Sequence, residues 1–319
     1  MATGLPTLPK PRGAVTVGLV SFQDLVELAR LQVQDYWALQ VSFLGFFVYY
    51  AGERLLRKQR LLAKLPPEVA TDMFYWLFMP PLRILARLVS VGVLLLLAVV
   101  FGSQADPAML RGFGPISRQP PVLIVIELVV LMDFITYWAH RSFHTFPILW
   151  RFHSLHHSAK YVRWSTTGRV HPLNELANYL LTVLPLALIG FPVNAVMAAT
   201  PLVIAFALFA HTQVNVSFGP LSSLFVSPRF HRWHHTHSHE GGNKNFANVF
   251  SLWDRLFGTY YLPSDRMPER FGLDVDDVPE SYLGQLVYPW RRRTHAARPP
   301  ATDEGTTAVV PELDSARRS

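Results

Sequence analysis

The sequence predicts an all-α membrane protein: a polytopic helical bundle with a cytoplasmic, histidine-rich cap that can hold two metal ions. Three observations support this fold class. Half of the 319 residues are hydrophobic and only 16% are charged, which leaves too little charge to cover a soluble protein of this length. Several apolar runs are long enough to cross a bilayer. Ten of the thirteen histidines lie in two short stretches.

Composition also excludes several classes of site. The chain contains no cysteine, so disulfides, thiolate metal ligands and iron–sulfur clusters are excluded. The formal charge of +7 suits a protein beside an anionic membrane surface. Nucleic acid is not an expected partner, because the basic residues flank apolar runs without a stacking motif between them.

The chain divides into one domain and two tails. Residues 1–13 are rich in proline and glycine and are predicted to be disordered. Residues 14–285 are predicted to form the membrane-embedded domain. Residues 286–319 include the basic stretch at 291–293, continue with many proline, alanine and threonine residues, and are predicted to be a disordered tail.

Four apolar regions are the predicted membrane segments. They cover residues 36–52, 84–102, 121–140 and 177–210. Gly190 and Pro192 should break the fourth region into two helices. Each half is near the lower length limit for a span, so a re-entrant hairpin and two full crossings remain open.

Loop charges predict the orientation of the bundle. Six basic residues lie between the first and second spans: Arg54, Arg57, Lys58, Arg60, Lys64 and Arg83. The loop of residues 103–120 has only Arg111 and Arg118. Because basic loops stay in the cytoplasm, both histidine stretches are predicted to face the cytoplasm from an integral, multi-pass protein.

The histidine spacing indicates metal binding. His140 and His144 are four residues apart, and two triplets repeat an i, i+3, i+4 pattern, which puts the members of each set on one helix face. The triplets are His153, His156 and His157, then His231, His234 and His235. Eight imidazoles exceed the ligands of one metal ion, so a two-metal centre is predicted, with His211 as a ninth ligand. Imidazole suits zinc, copper, iron and nickel.

The remaining histidines carry weaker signals. His171 can bond to a metal-ligating side chain, contact the substrate or cap a helix. His237 and His239 follow the second triplet in a Gly/Asn-rich turn, where a loop role is favoured over a ligand role. His295 is assigned no function. Asp133 lies in an apolar span, seven residues before His140, and is predicted to accept a hydrogen bond from a ligating imidazole; the alternative is a bond between helices.

The motifs resemble a known family. "DFITYWAHRSFH", "WRFHSLHHS" and "SPRFHRWHHTHSHEGGNKNFANVFSLWDRLFGTYY" resemble the fatty acid hydroxylase / sterol desaturase superfamily, over about residues 35–263. The resemblance implies integral-membrane, non-haem di-iron enzymes. It maps the ligands onto the His140/His144 pair and the two triplets.

The resemblance also assigns the residues that follow the last triplet. Asn245 and Asp254 are expected to support the ligands, with Arg255 as a further candidate, and Trp253 and Phe257 are expected to pack beneath the site. The implied chemistry uses two iron ions and O2 to oxidise an unactivated C–H bond of a lipid. Electrons would come from a separate donor protein, because no cytochrome domain or nucleotide-binding glycine motif is evident.

Substrate and reaction outcome stay open at this level. Lys160, Arg163 and Arg169 can bind an anionic head group or anchor the protein at the interface. Fatty acyl chains, sterols and other membrane lipids all fit an apolar groove. Desaturation uses the same centre as hydroxylation. A membrane di-zinc hydrolase is the alternative of another class, and a haem cytochrome fits the spacing least.

Overall fold

The computed structural model describes residues 48–58, 67–100, 112–216, 218–275 and 277–291. Most of the first predicted span, both distal tails and the loop of residues 101–111 lie outside these ranges. Within them the regular structure is entirely helical and contains no strand, which confirms the all-α class. Residues 48–56 are helical, and the helices that follow are α1 (Pro67–Val100), α2 (Pro121–Thr145), α3 (Pro147–His157), α4 (Pro172–Leu188), α5 (Val193–Ala210), α6 (Pro228–His234), α7 (Leu252–Leu256) and α8 (Tyr282–Val287).

Helices α1, α2, α4 and α5 share one hydrophobic core. Helix α4 packs against α1 and α2, and α2 also contacts α3 and α5. The shared core contains mainly aliphatic side chains, including Leu128, Leu186 and Val196, which are fully buried. This core lies along the apolar parts of the helices. The polar ends of α2, α3 and α5 lie outside it and form a separate layer.

Proline positions define where several helices begin. α2, α3, α4 and α6 each start with proline at the first turn, where its missing N–H costs no hydrogen bond. Phe146 adopts an extended conformation before Pro147, because proline disfavours α geometry in the residue before it. The chain therefore turns between α2 and α3, and the two halves of the first histidine stretch face each other.

The predicted break at Gly190 and Pro192 is confirmed. α4 ends at Leu188 and α5 begins at Val193. Gly190 has φ +105°, a region that favours glycine, and its carbonyl accepts a 3.1 Å hydrogen bond from the N–H of Phe113. The hairpin therefore turns sharply and returns to the histidine end of the bundle.

Two boundaries differ from the sequence prediction. α1 begins at Pro67 rather than at residue 84, and the buried Asp72 in its added part is paired with Arg169. The folded region also continues past residue 285. α8 and a 3₁₀ turn at Tyr288–Trp290 pack onto the domain, with Tyr288 buried and its hydroxyl donating to Asp277 over 2.7 Å.

One helix within the described ranges, Pro121–Thr145, is long and apolar enough to cross a membrane by length and composition.

Candidate metal centre

Nine buried or half-buried histidines meet in two groups at one end of the bundle. The first group is His140, His144, His153, His157 and His234; the second is His156, His211, His231 and His235. In each group, one ring nitrogen per residue lies within 4.8 Å of the others. All nine residues predicted from the sequence are thus brought together.

Helical geometry explains how the histidines divide. Residues four apart differ by roughly 40° around a helix, whereas residues three apart differ by roughly 60° in the opposite direction. In α3, His153 and His157 therefore enter the first group and His156 enters the second. In the α6 triplet the i, i+4 pair enters the second group, and the middle residue, His234, crosses to the first.

The ring nitrogens converge within each group. In the first, Nε2 of His140 lies 3.1 Å from Nε2 of His153. In the second, Nε2 of His211 lies 3.1 Å from those of His231 and His235, which are 3.2 Å from each other. The two groups adjoin, because the rings of His157 and His235 are stacked with centroids 4.6 Å apart.

Backbone carbonyls determine which nitrogen carries the proton. Nδ1 of His140 donates to Phe246 O (2.8 Å), Nδ1 of His211 to Ala207 O (2.7 Å) and Nδ1 of His234 to Lys244 O (2.8 Å). A carbonyl oxygen can only accept, so each of these Nε2 atoms presents a lone pair. Facing lone pairs repel unless a cation lies between them, and the donor set therefore fits metal ions.

Several buried nitrogens reinforce this fit. Nδ1 of His156, His157, His231 and His235, and Nε2 of His234, lie buried without a hydrogen-bond partner in the described structure. Burial, followed by the neighbouring imidazoles, lowers the pKa of these five histidines well below the usual 6.5. The rings are therefore neutral, which is the form that binds metal.

Two asparagines that sequence reasoning missed contact the first group. Asn174 Oδ1 accepts from His153 Nδ1 over 3.1 Å, and Asn243 Oδ1 lies 3.4 Å from His144 Nδ1. Asn174 lies buried in the first turn of the apolar helix α4. A polar residue in this apolar segment is the sequence feature that could have indicated its role. Nothing local distinguished Asn243 from its polar neighbours.

Asp254 and Asn245 support the centre through the backbone. Asp254 accepts from the N–H groups of Phe246 (2.8 Å) and Ala247 (2.9 Å), and the Phe246 carbonyl accepts from His140. Burial raises the pKa of Asp254 to about 7, which the bonds from Thr259 and these N–H groups oppose. Asn245 bonds Phe230 O and Tyr261 O through Nδ2, which joins α6 to the following segment.

Of the two roles predicted for Asp133, the contacts support the bond to another helix, through Trp253 of α7, and not the bond to an imidazole. Its carboxylate accepts from the backbone N–H of Asn248 (3.2 Å), Val249 (2.8 Å) and Phe250 (2.7 Å), and from Trp253 Nε1 (3.0 Å). It therefore holds the 248–253 segment against α2 rather than bonding an imidazole. Sequence spacing suggested the helix face correctly but gave no information about this distant segment.

The aromatic and basic residues next to Asp254 have different roles. Trp253 and Phe257 pack against the core beside the site, as predicted. Arg255 is exposed and lies over the ring of Tyr260 at 5.2 Å. It is therefore not placed to orient the imidazoles.

The contacts confirm the helix cap among the three roles left open for His171, and they correct the role predicted for Arg169. His171 caps α4: its Nδ1 accepts from Leu173 N (3.1 Å) and its Nε2 bonds Leu286 O (3.0 Å), so it belongs to neither histidine group. Arg169 is buried in an ion pair with Asp72, with Nε–Oδ1 at 2.6 Å. Because the Arg169 guanidinium pairs with Asp72, it is not available to bind a lipid head group, which was the role predicted from the sequence.

The other two head-group candidates are more accessible. Lys160 is exposed and Arg163 is half-buried. Arg163 lines a polar cavity together with Arg54, Arg57 and Glu53. The excess of positive charge there suits an anionic group.

Fold and site together define an all-helical protein with two histidine clusters able to hold metal ions. Comparison with known proteins shows that residues 125–259, which contain all nine converging histidines, match the fatty acid hydroxylase family profile. This segment is a fatty acid hydroxylase domain, and the resemblance predicted from the sequence motifs is confirmed.

Three relatives are informative. Ornithine lipid hydroxylase OlsE of Rhizobium tropici is 32% identical over 64% of this chain and 61% of its own length. Alkylglycerol monooxygenase of Danio rerio is 32% identical over 41% of this chain and 29% of its own. Very-long-chain aldehyde decarbonylase GL1-1 of Oryza sativa subsp. indica is 30% identical over 51% of this chain and 29% of its own.

The alignments cover only part of each relative, from about three tenths to about three fifths of its length. No solved structure matches the chain.

Proposed function

We propose that this protein is a membrane-bound di-iron oxygenase that hydroxylates an unactivated C–H bond of a lipid. The observation that carries the proposal is the pair of adjoining buried groups, in which nine imidazole nitrogens converge. Among the described residues neither group includes a carboxylate, so the donor set is all-imidazole. The names of the relatives, which include a lipid hydroxylase and a monooxygenase, favour iron over the other metals that imidazole binds.

Bound iron would supply the activation of O2, so that substrate, O2, two electrons and two protons give an alcohol and water. The chain's own residues hold the metals and keep the site dry. Trp150, Phe246 and Phe143 contact the imidazoles of the first group at centroid distances of 5.0 to 5.4 Å. Electrons are assigned to a separate donor protein.

The proposed substrate is a membrane lipid that presents an apolar chain to the metals. The relatives' names refer to ornithine lipids and alkylglycerols, which share a polar head and a long chain. Arg163, with Arg54 and Arg57 beside it, is proposed to bind an anionic part of the head, with Lys160 as an outer contact. Arg169 is omitted because of its ion pair with Asp72.

The protein is proposed to be integral and multi-pass, with the metal centre on the cytoplasmic face. The apolar α2 supports a crossing, and the basic residues that precede α1 support the orientation. The ligands at the C-terminal end of α2 would then lie at the membrane surface.

Metal analysis and lipid mass spectrometry test the function together. The purified protein should contain two iron ions and show no Soret absorption, and chelation should lower its Tm because buried lone pairs lose their cations. A host that expresses the gene should accumulate a lipid heavier by one oxygen atom. Loss of two hydrogen atoms would indicate desaturation instead, and zinc with no oxidised lipid would favour a hydrolase.

A further inference from the structure

Two histidines outside both buried groups meet an acidic residue at the surface. His237 and His239 lie in the loop after α6, and Asp274 lies in a second segment. One nitrogen of each ring and one carboxylate oxygen all lie within 4.8 Å of one another. Nδ1 of His237 is 3.2 Å from Oδ1 of Asp274, and the two imidazole centroids are 5.7 Å apart.

The carboxylate is held in position by the loop itself. Ser238 N donates to Oδ1 of Asp274 over 3.1 Å across a sequence separation of 36 residues, and the Ser238 hydroxyl donates to Oδ2. The second segment is also joined to the end of α6, where Gly272 N donates to His235 O over 3.4 Å. The three side chains are therefore brought together by backbone contacts as well as by their own attraction.

We propose that His237, His239 and Asp274 form a surface site for one divalent transition-metal ion, separate from the buried centre. Two imidazoles and one carboxylate are a donor set that zinc accepts, with water completing a tetrahedral site. Magnesium and calcium prefer oxygen ligands. The proposal does not depend on which metal the buried groups hold.

An ion at this site would clamp the loop that orients two buried imidazoles. The same loop carries Asn243, whose Oδ1 faces His144, and Lys244, whose carbonyl accepts from His234. Coordination by His237, His239 and Asp274 would cross-link the loop to the second segment. The restricted loop would then keep these two oxygens in place.

Zinc retention by the untagged, iron-loaded full chain tests the site. After exposure to zinc and desalting, elemental analysis should find one more zinc per chain in the wild type than in His239→Ala, with equal iron in both. Asp274→Asn should lose the same zinc. Asp265→Asn, which removes another exposed carboxylate, should retain it.

Asp274→Asn removes a ligand, but it also weakens the hydrogen bonds that Ser238 donates to Asp274. His239→Ala removes a ligand without changing these bonds, so it tests the loss of the ligand alone. Zinc should raise the Tm of the wild type and leave that of His239→Ala unchanged. Equal zinc in the wild type and His239→Ala would overturn the proposal. So would a zinc-dependent rise in Tm of the same size in both proteins.

Discussion

Three imidazoles of the candidate centre are oriented by backbone carbonyls rather than by acidic side chains. His140, His211 and His234 each donate Nδ1–H to a main-chain oxygen at 2.7 to 2.8 Å. A carbonyl is as effective as a carboxylate in selecting the tautomer, but it adds no negative charge to the site. The geometry of the centre therefore depends on how accurately the supporting backbone is held.

Replacing one proposed ligand should abolish activity without unfolding the chain. His156→Ala removes an Nε2 that lies 3.2 Å from that of His211, so the second group loses one of its four donors. We expect no detectable lipid oxidation and a reduced iron content, with normal yield of folded protein. Iron content and turnover should be measured on the same sample.

His295→Ala is the matched control, since it removes a histidine that lies outside the described residues and has no assigned role. It should leave iron and turnover unchanged. Full activity and full iron in His156→Ala would rule out the ligand assignment.

Asp254 should act as a positioning residue. Asp254→Asn keeps the shape but points an NH2 group at one of two backbone N–H donors, Phe246 or Ala247. One lost bond displaces the peptide that accepts from His140, and losses of this type lower metal affinity or activity by roughly 10- to 100-fold. Iron titration should show weaker binding that excess iron restores in part.

A merely structural role for Asp254 would lower the Tm while turnover per bound iron and iron affinity stay normal. Asp265→Asn, at an exposed acid, provides the control for charge removal. Unchanged iron affinity in Asp254→Asn would contradict the positioning role.

At the scale of elements, the turns determine which helix ends meet. The extended Phe146 separates α2 from α3, and the hairpin at Gly190 returns α5 so that His211 joins the second group. Ligands on four separate segments thus converge at one end of the bundle.

Gly190→Ala should destabilise the fold more than Gly114→Ala. Both residues have positive φ, which costs an L-residue about 1–2 kcal/mol. A Cβ at Gly190 would also lie 2.6 Å from the carbonyl oxygen of Phe113, whereas one at Gly114 meets nothing within 4 Å. Thermal unfolding should show a larger fall in Tm for Gly190→Ala, and equal falls would exclude the steric contribution.

At the scale of the whole molecule, α2 links two surfaces that a membrane would separate. Its 25 residues span about 37 Å, more than the bilayer core of about 30 Å. Ser117 precedes its N-terminal end, while Asp265 follows the segment that packs on the metal centre. The proposed orientation puts these two residues on opposite sides of the membrane.

Cysteine labelling should confirm that orientation. The chain has no cysteine, so Ser117→Cys and Asp265→Cys each introduce a single thiol. In intact cells a membrane-impermeant maleimide should modify Ser117→Cys, and Asp265→Cys should react only after the membrane is opened. Labelling of both in intact cells would contradict a cytoplasmic metal centre.

Features that depend on local sequence pattern could be predicted without the structure. The i, i+4 and i, i+3 spacings single out eight of the nine histidines that converge, and Gly190 with Pro192 marks the hairpin turn, because helix periodicity and backbone sterics act within a few residues. The motif around these histidines was also sufficient to indicate the family.

Contacts between distant segments determine which of the two groups each histidine joins and which partners the supporting residues bind. Tertiary structure divides each triplet between two groups, so that His234 joins residues of α2 and α3 while His156 joins residues of α5 and α6. It also brings Asp133 into hydrogen bonds with a backbone segment that is distant in sequence, and Arg169 into an ion pair with Asp72. The physical reason is that a buried charge or lone pair must find a partner, and the available partner is set by packing between segments far apart in sequence.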